Sequence, residues 1–145
     1  MRVLFLDECH LLWGDASGYG WSRRKERVDI KIKSLKARQT YYGALDYLTK
    51  QFVLREYEAG NETNTVAFLQ YLQSLYAKDT RLMIVWDGVS YHRSTVVRQF
   101  LEQLNGGLAP EQWKMICIRL APNAPEQNPV EDVWLQAKQF IRKYA

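Results

Sequence analysis

Short apolar runs along the chain predict buried strands. Residues 3–6 (VLFL), 82–86 (LMIVW) and 113–118 (WKMICI) are mostly apolar stretches of the length that buried strands have. Apolar and polar residues alternate over residues 28–33 (VDIKIK), which predicts a strand with one face exposed. Residues 39–44 (QTYYGA) and 51–57 (QFVLREY) flank a polar segment, so they predict a pair of neighbouring strands.

Apolar residues at helical spacing predict three helices. Residues 61–76 carry Val66, Leu69 and Leu72 on one face, with Asn61 or Thr63 as the N-cap. Residues 94–104 carry a similar face, and a last helix is expected from about residue 126 to the end of the chain. The inner stripe of that last helix is predicted to contain Val130, Val133, Trp134, Ala137, Phe140, Ile141 and Tyr144.

The order of these elements predicts the fold class. The first half of the chain contains strands in a meander, and the second half alternates helix and strand. Alternation of this kind favours parallel crossovers, whereas a meander favours antiparallel pairing. We therefore expect an α/β protein with a mixed sheet flanked by helices. A length of 145 residues suits a single domain.

Composition and charge narrow the class of protein. A net charge of +4 mildly favours a polyanionic partner, and much of the positive charge lies in residues 21–36 (WSRRKERVDIKIKSLK). The cysteines, Cys9 and Cys117, are too far apart in sequence for a CxxC motif, so we expect reduced thiols in the core. No apolar run is long enough to cross a bilayer, and the first residues, MRVLFLDE, make a poor signal peptide.

Acidic residues follow or open three of the predicted elements. Asp7 follows the first strand, Asp87 follows the strand of residues 82–86, and Glu131 lies at the start of the last helix. If the strands before Asp7 and Asp87 are neighbours, these carboxylates repel each other unless a proton or a cation lies between them. Mg²⁺ prefers oxygen ligands of this kind.

Each acid also has a simpler interpretation. Asp87 could start a turn with Gly88, and Asp7 could pair with a basic residue on the next strand. Glu131 could complete a capping box with Asn128 as the N-cap. Because successive side chains of a strand point to opposite faces, either Asp7 or Glu8 could be the ligand on the first strand.

Several sequence blocks resemble one protein family. These are FLDE (residues 5–8), GYGW (18–21), RQ with YGALD (38–46), VWDGVSYHRS (85–94) and LAPNAPEQNPVEDVW (120–134). In this order they resemble the DDE transposases of bacterial insertion sequences related to mariner elements. The last block, a proline-rich loop followed by N-P-x-E-x-x-W, is the most specific.

The resemblance implies a ribonuclease-H-like fold with a mixed five-stranded sheet. It implies that Asp7, Asp87 and Glu131 are the catalytic triad and that they bind two Mg²⁺ or Mn²⁺ ions. It also implies cleavage of DNA at the element ends, followed by strand transfer into a target. Asn128 and Glu8 would support the ligands, whereas His92 could contact a phosphate or help order the metal site.

The expected partner is DNA, at the element ends and at the target. Candidate DNA-binding residues are Arg23, Arg24, Lys25, His92 and Arg93, although residues 23–25 could equally be a solvated basic loop. Residues 1–145 would form a catalytic domain without the helix-turn-helix domain of the family. A separately encoded helix-turn-helix subunit and a homodimer are therefore possible partners, in the bacterial cytoplasm and on the nucleoid. The alternatives are a general nuclease and an inactive remnant that only binds nucleic acid.

Overall fold

The computed structural model describes residues 1–12, 38–87, 92, 94–121 and 125–144. The strand predicted over residues 28–33 lies outside these residues. The strands are β1 (Arg2–Leu12), β2 (Arg38–Asp46), β3 (Phe52–Tyr57), β4 (Leu82–Trp86) and β5 (Met115–Arg119). The helices are α1 (Glu62–Ser74), α2 (Thr95–Asn105) and α3 (Val130–Tyr144).

The described strands form one mixed sheet in the order β3-β2-β1-β4-β5. The β2–β3 pair is antiparallel, and so is the β1–β2 pair. The β1–β4 and β4–β5 pairs are parallel, as the alternation of helix and strand predicted. The expected α/β fold with a mixed five-stranded sheet is confirmed.

The first strand is longer than its apolar run predicted. Residues 3–6 were expected to form a strand that ends before Asp7, but β1 continues to Leu12. It pairs with β4 only as far as Phe5, whereas its pairing with β2 extends from Leu4 to Leu12. A continuous apolar run predicts only the part of a strand that is buried on both faces of the sheet. It therefore missed the later part of β1, which pairs with β2 but extends beyond the pairing with β4.

The two faces of the sheet pack against different helices. The larger core lies between the sheet and helices α1 and α2, and it includes Leu4, Leu6, Tyr42, Phe68 and Ile84. On the opposite face, Cys9 of β1 packs with Val130 and Trp134 of α3. Odd-numbered residues of β1 therefore face α3, and even-numbered residues face α1 and α2.

Side-chain caps fix where the helices begin. The Asn61 side chain accepts a hydrogen bond from the Asn64 amide at 2.8 Å, which confirms the predicted cap of α1. Ser94 caps α2 in the same way by accepting from the Val97 amide at 3.2 Å. The buried Asn105 at the end of α2 accepts from the amides of Lys114 and Met115, and so ties the following loop to β5.

The last helix begins later than its predicted start at about residue 126. A short 3-10 turn covers Pro125–Gln127, and α3 begins at Val130. Pro129 disfavours a helical backbone at Asn128, so the helix cannot run through that residue. The Asn128 side chain instead accepts a hydrogen bond from the Val130 amide at 3.1 Å.

The predicted inner stripe of α3 is wrong at Ala137 and Phe140. Val130 and Trp134 are buried, but Ala137 is exposed and Phe140 is 65% exposed. Helical spacing identifies an apolar face but does not show what covers it. None of the helices in the described residues is long and apolar enough to span a membrane.

Candidate metal-binding active site

Asp7 lies inside β1, just beyond the point where pairing with β4 stops. The last β1–β4 pair is Phe5 with Val85, and Asp7 pairs with Gly43 of β2 on its other side. The residue is only 5% exposed. It faces the α3 side of the sheet, because it shares the orientation of Phe5 and Cys9.

The neighbours of Asp7 are acidic. The pKa of Asp7 is raised from its ordinary value of 3.8 to about 8, first by burial and then by the negative charges of Glu131, Glu8 and Asp87 in that order. Such charge effects require short separations. Asp7 therefore lies close to both other acids of the predicted triad, although these are 80 or more positions away in the sequence.

Asn128 ties the start of α3 to β1 beside Asp7. Its side-chain amide donates a hydrogen bond to the carbonyl oxygen of Leu6 at 3.1 Å, and its backbone carbonyl accepts a hydrogen bond from the backbone amide of Glu131 at 3.1 Å. Glu131 lies in the first turn of α3 and is exposed. The residue before Asp7 is thus linked through one buried residue, Asn128, to the residue that carries the third carboxylate.

Glu8 and His92 form a buried ion pair on the α2 side of the sheet. The His92 Nε2 atom lies 2.6 Å from Oε1 of Glu8, and the two side chains are 1% and 3% exposed. The Nδ1 atom lies 3.3 Å from Oδ1 of Asp87 and 3.2 Å from the Asp87 carbonyl oxygen. Trp86 stacks on the imidazole with ring centroids 4.2 Å apart.

The electrostatics of His92 follow from these contacts. Burial alone lowers its pKa, but the hydrogen bonds to Asp87 and Glu8 outweigh it and raise the pKa to about 9. At neutral pH the ring then donates from both nitrogens. The short Nε2–Oε1 distance is typical of a hydrogen bond between charged groups.

Two sets of metal-capable atoms therefore share Asp87. Glu8, Asp87 and His92 each offer one such atom, and these lie within 4.8 Å of one another. Asp87 and Glu131 each act on Asp7 through their negative charges, and these three side chains supply only oxygen atoms. Carboxylate oxygens suit Mg²⁺ and Mn²⁺, whereas both His92 nitrogens already bond to carboxylates. The donor set of Asp7, Asp87 and Glu131 fits such an ion.

The pattern of the sequence did not reveal the Glu8–His92 pair. His92 was considered for a phosphate contact or for ordering the metal site, and its buried position beside Asp87 is compatible with the second role. A carboxylate at position 8 that faces the core needs a buried cationic partner, and this requirement is the signal that could have predicted the pairing with His92. The predicted DNA-binding residues Arg23, Arg24, Lys25 and Arg93 lie outside the described residues.

Comparison with known proteins identifies the family. The family model of the DDE superfamily endonucleases matches residues 2–145. The chain belongs to the DDE superfamily endonucleases. This confirms the family resemblance of the sequence blocks, while a bacterial origin stays a prediction. No curated protein sequence matches the chain significantly.

The solved structures that resemble this DDE superfamily endonuclease share its fold. A pre-cleavage Mos1 transpososome matches with a TM-score of 0.64 and 12% identity, covering 99% of this chain and 43% of that chain. A Mos1 mariner paired-end complex with Mn gives 0.59 and 15%, covering 94% and 42%. An intasome of simian T-cell lymphotropic virus in complex with PP2A regulatory subunit B56 gamma gives 0.63 and 7%, covering 93% and 37%.

These similarities confirm the ribonuclease-H-like fold that the family resemblance implied. At such low identity they report the fold and not the chemistry. The DDE superfamily endonuclease described here spans about two-fifths of the length of the structures that it matches.

Proposed function

We propose that this chain is the catalytic domain of a transposase that cleaves DNA and joins DNA strands. The observation that carries the proposal is the position of Asp7, buried in β1 beside the carboxylates of Asp87 and Glu131. Among the described residues, no Lys or Arg forms an ion pair with Asp7. A divalent cation would relieve the repulsion among these carboxylates.

Asp7, Asp87 and Glu131 would hold one or two Mg²⁺ or Mn²⁺ ions. When bound, such ions supply charge stabilisation for the attacking and leaving oxygens of a phosphodiester displacement. Asn128 keeps Glu131 in place through its bond to the Leu6 carbonyl. His92 fixes the orientation of the Asp87 carboxylate and neutralises Glu8 behind it.

The proposed first reaction is hydrolysis of one DNA strand. The oxygen of water forms a bond to phosphorus while the bond from phosphorus to the 3′-oxygen breaks. The water loses a proton to solvent and the 3′-oxygen gains one, so the products are a 3′-hydroxyl and a 5′-phosphate. In the proposed second reaction the 3′-hydroxyl attacks a target phosphodiester, losing its proton as the target 3′-oxygen gains one.

The proposed partners are DNA at the element ends and at the target. The basic residues Arg23, Arg24, Lys25 and Arg93 would contact phosphates, and His92 is a weaker candidate because its side chain is buried. The proposal of DNA as the partner is supported by the similarity in fold to a Mos1 transposase paired-end complex with the left transposon end. A homodimer and a separate helix-turn-helix subunit are further proposals.

A plasmid assay with matched variants tests the proposal. We expect the wild type to nick supercoiled DNA with Mn²⁺, and we expect Asp7→Asn, Asp87→Asn and Glu131→Gln to abolish nicking. The control is Asp132→Asn, which removes a neighbouring exposed acid in the same helical turn. Equal activity of the wild type and Asp87→Asn would refute the proposed site. Joining of an oligonucleotide 3′-hydroxyl to the plasmid distinguishes a transposase from a general nuclease.

Metal binding gives a second readout that does not depend on activity. An ion that binds only the folded state stabilises it by about 2.7 kcal/mol at a concentration about 100 times its Kd. We expect Mn²⁺ to raise the melting temperature of the wild type and of Asp132→Asn, but not of Asp7→Asn. If Glu8→Gln abolished the shift and Asp7→Asn preserved it, the ion would belong to the Glu8–Asp87–His92 group instead.

A further inference from the structure

A cavity of about 460 Å³ opens beside Asp87 on the α2 side of the sheet. Asp87 and His92 form the wall next to the catalytic acids, while α2 and the end of β5 form the remainder. The volume lies within the range of cavities that bind small molecules or single groups of a larger ligand. None of the roles proposed above uses this cavity.

The outer wall of the cavity carries two arginines. Arg98 projects from α2, and Arg119 is the last residue of β5. Within the described part of the chain, neither guanidinium group forms a hydrogen bond or an ion pair. Asp87 is the one carboxylate among the lining residues. Arg119 pairs across the sheet with Trp86, the residue before Asp87, so a guanidinium group and a carboxylate of the proposed metal site belong to one cavity.

The rest of the lining is partly apolar. It contains Trp86, Leu101 and Cys117, which belong to or pack against the main core. Burial raises the pKa of the Cys117 thiol to about 12, so the thiol stays neutral and is a poor nucleophile at neutral pH. The cavity thus offers an apolar surface and two cationic donors rather than a reactive group.

We propose that this cavity binds the sugar–phosphate backbone of the DNA strand that enters or leaves the catalytic acids. Arg98 and Arg119 contact a phosphate, and the deoxyribose lies against Leu101 and Trp86. Guanidinium groups match phosphate oxygens with paired hydrogen bonds, and an apolar surface suits the sugar. The inference rests on the proposed function, since Asp87 joins the cavity to the site of phosphodiester cleavage.

Binding of single-stranded DNA without a divalent metal tests the inference. The probe is a fluorescein-labelled single-stranded 20-mer in EDTA, measured by anisotropy over a range of salt concentrations. The test variant is the double substitution Arg98→Gln with Arg119→Gln. The control is Lys78→Gln with Lys114→Gln, which removes the same charge from a separate cavity of about 340 Å³ between α1 and α2.

We expect the arginine variant to lose about tenfold or more in affinity for DNA. We also expect the slope of its plot of log K against log salt concentration to become less negative by about 1.4. That change corresponds to two lost phosphate contacts on a single strand, at about 0.7 each. The lysine variant should bind within about threefold of the wild type with an unchanged slope. An equal loss in both variants would overturn the inference, because only net charge would then matter. Unchanged binding by the arginine variant would overturn it as well.

The design separates this inference from the proposed function. The arginine variant should keep the Mn²⁺-dependent rise in melting temperature, because neither arginine belongs to the proposed ligand set. If the wild type fails to nick plasmid but the two double variants still differ in DNA binding, the proposed function fails and the cavity remains a DNA site. If nicking depends on Asp87 but the double variants bind DNA equally, only the inference about the cavity fails.

Discussion

Substitution of Gly43 by alanine should disturb the active site without touching a carboxylate. Gly43 pairs with Asp7 across β1 and β2 and faces α3. A Cβ atom at this position would lie 2.5 Å from Cζ of Phe52 and 2.7 and 2.8 Å from two ring atoms of Trp134. Trp134 and Phe52 also pack edge to face, with centroids 5.3 Å apart, so neither ring can move toward the other to make room.

The size of the effect follows from these distances. Carbon atoms pack best at about 3.5–4.0 Å, so the Trp134 ring must move by about 1 Å. Overpacking of this kind costs about 1–3 kcal/mol, partly offset by about 0.4–1 kcal/mol because alanine restricts the unfolded chain. Trp134 lies about one helical turn after Glu131, and a displacement of about 1 Å at a catalytic group can cost on the order of 100-fold in rate.

Urea denaturation, the Mn²⁺-dependent melting shift and plasmid nicking measure these effects together. We expect Gly43→Ala to lower the free energy of unfolding by about 1–2 kcal/mol and to weaken both Mn²⁺ binding and nicking. In a Trp134→Phe or Phe52→Leu background the same substitution should cost less, because the smaller side chain makes room. Equal costs in all backgrounds, or a Gly43→Ala protein with normal Mn²⁺ binding, would refute the reasoning.

The remaining predictions concern buried polar groups. Asp46→Asn should lower the free energy of unfolding at pH 7 by about 1–3 kcal/mol in a urea titration, because Oδ2 of Asp46 accepts hydrogen bonds from both Nε and Nη2 of Arg2. Burial raises the pKa of Asp46, but the hydrogen bonds outweigh burial and hold this pKa below 3.8 in the folded protein. The stabilisation is therefore present above pH 3.8 and is lost as the pH falls through the pKa of the folded state. The stabilities of the variant and the wild type should converge in acid. His92→Phe should cost about 3–5 kcal/mol by thermal or urea unfolding, because it leaves the Glu8 carboxylate buried without its partner, and adding Glu8→Gln should recover part of the loss. Asn105→Ala should cost about 2–3 kcal/mol by the same measurement, since three hydrogen bonds to the backbone of Lys114 and Met115 are lost. Surface substitutions usually change the free energy of unfolding by less than about 0.5 kcal/mol, so a change of that size would contradict the role of Asn105 in the loop.

Local patterns in the sequence identified most of the fold. The β4 strand was predicted with its observed bounds, Asn61 was one of two predicted caps of α1, and Asn128 was predicted as a cap of α3. These signals depend on a few neighbouring residues, so they can be interpreted one segment at a time. The error in the bounds of β1 arose where pairing with distant strands decides the outcome. The later start of α3 has a local cause, because Pro129 disfavours a helical backbone at Asn128.

The arrangement of the site was harder to predict than the identity of its acids. Periodicity placed Asp7 and Glu8 on opposite faces of one strand but did not say which face would meet the helix that carries Glu131. That choice depends on Trp134 packing over Gly43, a contact between residues about 90 positions apart. A glycine in a strand is a weak signal, since it also occurs at bulges and bends.

The charges around β1 explain why neighbouring carboxylates on one strand have different roles. Glu8 faces the core and meets an imidazole at 2.6 Å, so the protein itself supplies the cation that its burial requires. Asp7 faces the other way, and the charged groups that act on it in the described part of the chain are carboxylates, opposed only by a backbone hydrogen bond from Glu8. Its charge must therefore be neutralised by a proton or by an ion from solution. If an ion neutralises Asp7, Asp7→Asn should abolish the Mn²⁺-dependent rise in melting temperature. Glu8→Gln should then weaken this rise only by changing the position of Asp87.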